Sequence, residues 1–98
     1  MPDMMSMKAV GKEGQLRVGG RVAADLGDWS LTTSSSEAGK WALSAAVRNG
    51  GVDNMLLDSG APVELRLTVA SHEWRWKGVT VAGRDPVAVY GEGHPEII

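Results

Sequence analysis

Between Val63 and Val69 every second side chain is aliphatic: Val63, Leu65, Leu67 and Val69 alternate with Glu64, Arg66 and Thr68. An extended strand sends successive side chains to opposite faces, whereas a helix repeats its face at roughly 3.6 residues. The spacing therefore predicts a half-buried strand with its aliphatic side inward. The same logic carries on past Ser71-His72-Glu73. Trp74 and Trp76 share one face of an extended segment, Arg75 and Lys77 take the other, and Val79, Val81, Val87 and Val89 keep the period. This chain is read as largely β.

Turn chemistry divides the remainder into short strands. In Leu16-Arg17-Val18-Gly19-Gly20-Arg21-Val22, apolar positions flank a Gly-Gly pair that tolerates positive φ, which predicts a tight hairpin. Ala23 to Asp28 leads into a strand from Trp29 to Thr33, with Asp25 and Asp28 read as carboxylates flanking a turn. Ser34, Ser35, Ser36 and Gly39 suggest a loop. Residues 37–49 admit two readings. Trp41, Leu43, Ala45 and Val47 alternate as a strand would, with small residues on the other side. Ser36 as a cap, the alanines and a stop at Asn49-Gly50 would suit a short helix. The strand is preferred. Met55-Leu56-Leu57 is a short apolar run ended by Asp58 to Pro62. Strands follow over 63–70, 73–82 and 87–91, with turns near Ser71-His72 and across Gly83 to Pro86.

Short strands punctuated about every 8–12 residues point to an all-β fold. The expectation is a small barrel or sandwich of six to seven mostly antiparallel strands, with one short helix near residues 37–49 as the alternative. Ninety-eight residues suffice for one core. Residues 1–8, rich in Met, are expected to form a flexible leader, and 9–98 a single β domain. Phe is absent, so Trp29, Trp41, Trp74 and Trp76, with Tyr90, must supply the aromatic volume.

The residue types present offer little to catalysis. There is no Cys, hence no disulfide frame, thiolate nucleophile or Cys-based zinc site. His72 and His94 stand far apart, and Glu73, Glu92 and Glu96 nearby form no ligand spacing. No serine sits in a nucleophile elbow, and Gly19-Gly20 lacks the Lys-Ser/Thr pair of a phosphate loop. We expect a non-enzymatic protein without metal or cofactor. No apolar run approaches 18 residues, so no membrane partner is expected. A net charge of −2 speaks against gripping nucleic acid by bulk electrostatics.

One strip could bind. Trp74, Arg75, Trp76 and Lys77 could form a stacking platform for bases with cations close by. Rings and cations on opposite faces fit better with indoles in the core. A protein interface is a third reading, because Trp and Arg concentrate at the energetic centres of interfaces. The apolar end, Ile97-Ile98, is a candidate arm. Candidate interaction residues are therefore Trp74, Trp76, Arg75, Lys77, Ile97 and Ile98.

The order of features across residues 16–82 carries a resemblance. It runs through Leu16-Arg17-Val18-Gly19-Gly20, Asp25-Leu26-Gly27-Asp28-Trp29-Ser30-Leu31-Thr32 and Trp41-Ala42-Leu43-Ser44. Leu57-Asp58-Ser59-Gly60-Ala61-Pro62-Val63-Glu64-Leu65-Arg66-Leu67 and Trp76-Lys77-Gly78-Val79 follow. This series resembles the small β-barrel domains of tail and baseplate-hub proteins of tailed bacteriophages. The resemblance implies a structural, virion-associated protein of tail, connector or decoration type. It would be assembled in the host cytoplasm and pack against itself or other virion subunits, with a homo-oligomer expected. It supplies no catalytic residues. The alternatives are an OB-like protein binding single-stranded nucleic acid and a small phage regulator binding a host protein.

Overall fold

Gly19 and Gly20 take φ values of 58° and 80° and fold Val18 back onto Arg21. That turn joins two strands, β2 (Gly14–Val18) and β3 (Arg21–Thr33), as the Gly-Gly signal anticipates. The computed structural model describes residues 7–33, 39–84 and 86–98. The other strands are β1 (Met7–Gly11), β4 (Lys40–Val52), β5 (Val63–Val69), β6 (His72–Arg84), β7 (Val87–Glu92) and β8 (Glu96–Ile97). A single helical turn, α1 (Asn54–Leu57), links β4 to β5.

The strands run β2-β5-β6-β7-β4-β3 and close back on β2, giving a six-stranded antiparallel barrel. Closure removes the exposed edges that an open sheet would leave. The two remaining strands extend barrel strands. Both β1 and β2 pair antiparallel with β3, Gly11 opposite Trp29 and Gly14 opposite Leu26, so together they form one bent strand. In the same way β7 and β8 both pair with β6, interrupted around Gly93 to Pro95.

Inside lie Leu16, Leu26, Leu65, Leu67, Val87 and Val89, all essentially inaccessible, together with the rings of Trp29, Trp41 and Trp76. The alternation over Val63–Val69 holds: Val63, Leu65 and Leu67 are buried while Glu64 and Arg66 face outward. Two indoles find acceptors. Trp29 Nε1 donates to the Glu13 carbonyl at 2.8 Å and Trp76 Nε1 to the Gly93 carbonyl at 3.1 Å. Trp41 Nε1 is buried with no acceptor among the described residues.

Several sequence expectations need correction. The alternative helix at 37–49 is strand over Lys40–Val52; residues 37 and 38 lie outside the described set. The helical turn falls instead on Asn54–Leu57, where the Asp53 carboxylate accepts from the Leu56 N–H. Asp25 and Asp28 do not flank a turn. Both belong to β3, which runs unbroken from Arg21, and Asp28 (φ 34°) sits in the bulge where the β3–β4 register shifts. The turn placed at Ser71-His72 is one residue earlier, at Ala70-Ser71, because His72 already pairs with Val69. The leader set at 1–8 overlaps β1, where Met7 and Lys8 pair with Thr33 and Thr32; residues 1–6 lie outside the described set. The expected small barrel of six to seven mostly antiparallel strands holds, as a closed barrel of six with two short strands added among the described residues. The loop expected at Ser34 to Ser36 also falls outside the described residues.

Candidate interaction surface

The backbone register places the outward side chains in rows, and the rows divide the barrel wall into two unlike halves. On one half, a single cross-strand row reads Arg48, Asp25, Gln15, Arg66, Arg75 and Glu96, from β4 through β3, β2, β5 and β6 to β8. Beside it run Arg17, Glu64 and Lys77. Hydrogen bonds tie this half together. Gln15 donates to Asp25 at 3.3 Å and accepts from Arg17 at 3.1 Å. Arg66 is held between Glu64 and Glu73, the latter at 2.9 Å, and Arg75 meets Glu96 at 3.2 Å. The Glu64 hydrogen bond foremost, then the charges of both glutamates, raises the Arg66 guanidinium pKa further above its ordinary range. A depression of about 320 Å³ lies over this row, with Arg17, Arg48 and Arg66 balanced by Glu13, Asp25 and Glu73 on its walls.

The other half of the wall is nearly uncharged. One row runs Val10, Ser30, Ser44 and Ala88 across β1, β3, β4 and β7. The next runs Lys8, Thr32, Ala42, Tyr90 and Thr80, ending on β6. Tyr90 is 50% exposed and Val10 68% exposed, and the side chains between them are small. Opposed residues in an antiparallel sheet share a face, so these rows form a continuous surface rather than scattered positions.

The residues singled out from the sequence fall in three places. Trp74 and Trp76 do share one face, and it is the inner one. Trp76 is 6% exposed and packs on Trp41 at 4.9 Å between ring centroids; Trp74 is half-buried and meets Trp76 edge-on at 6.0 Å. Arg75 and Lys77 point outward onto the charged half. Ile97 pairs with Trp74 in β8, and the Ile98 N–H donates to the Glu73 carbonyl at 2.9 Å, yet both isoleucine side chains remain 58% exposed. The structure thus brings Trp74, Arg75 and Ile97 together at one end of the barrel and withdraws Trp76 into the core.

Sequence reading missed the uncharged half. Its signal was present in the small partners of the Trp41–Val47 alternation, but the rows it joins come from β1, β3 and β7, which only the register brings alongside. Among the described residues no group of three or more His, Asp or Glu side chains converges as a metal-binding set. Among the described residues no helix is long and apolar enough to cross a membrane. No protein-family model, curated protein or solved structure matches this chain.

Proposed function

We propose that this chain is a non-enzymatic assembly protein, of the structural kind found in tailed-phage particles, which works by packing against copies of itself or other subunits. The observation that carries this reading is an apolar surplus outside a finished core. The barrel is closed around its Leu, Val and Trp interior, yet Val10, Tyr90, Ile97 and Ile98 remain exposed. Burying such side chains between subunits contributes roughly 25 cal/mol per Å² before the costs of association. Beside them, β1 pairs with β3 alone among the described residues, so its second edge is open to a further strand. The resemblance to small barrel domains of tail and baseplate-hub proteins supports the same reading and suggests a virion component built in the host cytoplasm.

The single-stranded nucleic-acid reading has less support. It needs indoles and cations on one open surface, whereas Trp76 is buried and Arg66 and Arg75 are occupied by carboxylates.

Two measurements test the proposal. Light scattering on the full chain and on one lacking residues 94–98 should give a smaller assembly for the shortened chain. An unchanged mass would remove the terminal isoleucines from the assembly. Titration with single-stranded DNA should leave tryptophan fluorescence flat; quenching that fades with added salt would move the function to nucleic acid.

A further inference from the structure

We infer that the β6 edge from Glu73 to Arg75 is a docking site for an extended segment, and that its occupant in assembly is the Glu96–Ile98 segment of a second copy of this chain. The inference rests on the assembly reading above and gives it a site, a register and an occupant.

The closed molecule displays what this edge accepts. Here β8 of the same chain lies on it, Glu96 opposite Arg75 and Ile97 opposite Trp74. The Ile98 N–H donates to the Glu73 carbonyl at 2.9 Å, and the Glu96 carboxylate meets the Arg75 guanidinium at 3.2 Å. Main-chain pairing alone would take any extended segment. The Arg75 charge and the half-buried Trp74 ring narrow the choice to an acidic residue followed by an aliphatic one. A second copy carries that sequence.

Little holds the segment to its own barrel. Gly93, just before it, is anchored: its N–H donates to the Gly39 carbonyl at 2.7 Å and its carbonyl accepts from Trp76 Nε1 at 3.1 Å. His94 and Pro95 then belong to no ladder, and Glu96, Ile97 and Ile98 are all exposed. An ion pair with so exposed a carboxylate adds little. Segments with few buried contacts open far more readily than the core they rest on. Once this one lifts, the β6 edge presents unpaired main-chain groups beside Trp74.

Exchange between copies conserves the contacts of the closed form and adds a new one. From Gly93 to Glu96 the chain spans at most about 11 Å. A segment that crosses to a second copy therefore draws the two barrels together at this end. Ile97 and Ile98, each 58% exposed in the closed molecule, lie where the barrels then meet. The pairing is two-fold, each copy giving its segment and receiving the other. Each barrel's own segment competes at an effective concentration of about millimolar, so the exchanged dimer grows with protein concentration and is not obligate.

Cysteine trapping tests this directly, because the chain has no cysteine of its own. Arg75→Cys and Glu96→Cys chains are purified separately, checked for a native circular dichroism spectrum, mixed across a concentration series and oxidised. Mass spectrometry then maps the disulfide-linked dimers. The 75–96 species should exceed either like-with-like dimer by about tenfold or more, since docking brings those two positions together. A mixture of Thr68→Cys and Glu73→Cys, register partners that the Ala70-Ser71 turn keeps within one copy, should give only a statistical set of dimers. Glu73→Cys with Ile98→Cys replaces the first pair if either chain fails to fold. A merely statistical yield of the 75–96 dimer overturns the inference. With that result, a wild type that still forms multimers by light scattering leaves the assembly reading standing, and one that stays monomeric removes both.

Discussion

Trp41 lies across its cross-strand partner Gly91, with ring atom Cζ2 only 2.4 Å from where a Cβ on residue 91 would stand. Trp29 and its partner Gly11 repeat the arrangement at 2.3 Å. A glycine in a strand normally weakens it, but here the missing side chain is the space the indole fills. Four tryptophans fit into so small a barrel partly because the rings of two of them occupy the space that a side chain would take at Gly11 and Gly91.

Adding a methyl at this contact should therefore strain the barrel. Gly91→Ala is expected to cost about 1–3 kcal/mol by urea unfolding, the usual range for overpacking a tight site. Combining it with Trp41→Leu should cost less than the two changes added together, because the smaller side chain vacates the space. Strict additivity would show that the ring and the glycine are not in conflict.

Trp29 and Trp41 differ in one respect that mutation can read. The Trp29 N–H is bonded to the Glu13 carbonyl, whereas the Trp41 N–H has no acceptor among the described residues. Trp29→Phe should lose a hydrogen bond as well as packing, and so cost about 1 kcal/mol more than Trp41→Phe. Equal losses, or a larger one at Trp41, would contradict this assignment.

The β5–β6 turn stores strain that a better turn sequence should release. Ala70 and Ser71 connect β5 to β6 with φ of 49° and 70°, a left-handed pair that L side chains adopt at about 1–2 kcal/mol each. Replacing them with Asn-Gly, the preferred pair for such a turn, should raise stability by about 1–2 kcal/mol in urea unfolding. A neutral or destabilising result would mean that the turn is not of this type.

Beside α1, Arg84 bridges to Asp58 at 2.7 Å and also bonds Asn54, pinning the helical turn against β6. The Arg84 hydrogen bond holds the Asp58 carboxyl below its ordinary value of 3.8. A depressed folded-state value favours the native state above the unfolded pKa, and the benefit disappears as pH falls through the folded one. Wild-type stability should therefore drop on acidification below the normal carboxylate range. In Asp58→Asn that part of the fall should be absent, with stability already lower at neutral pH. The site is solvent-exposed, so the difference is small and best seen in denaturation midpoints compared between pH values. Parallel pH profiles would remove the linkage.

How far the sequence reveals this molecule depends on how local each signal is. Alternation over Val63–Val69 and the Gly19-Gly20 turn state their structure outright, since strand periodicity and positive φ need no partner to be recognised. The inward phase in the next strand falls on even positions at Trp74 and Trp76 and on odd ones from Val79 onward. The register shift around Gly78, where Val79 and Lys77 are successive partners of Val63 and Glu64, accounts for that switch. Other features are not local. The unbroken path of β3 through Gly27-Asp28 is set by partners on both sides, so its acidic residues mimic a turn. Ser71 signals a turn, but that the turn falls on Ala70-Ser71 follows from the pairing of Val69 with His72. The uncharged wall is the least legible feature, because it joins side chains from β1, β3, β4, β6 and β7 that only barrel closure sets in rows.

What matters most is whether this barrel meets other copies of itself. Sedimentation equilibrium of the full chain across a wide concentration range measures that directly. We predict a mass that climbs reversibly from the 10.4 kDa of one chain to at least twice that value. A single species at the monomer mass over the entire range would contradict it.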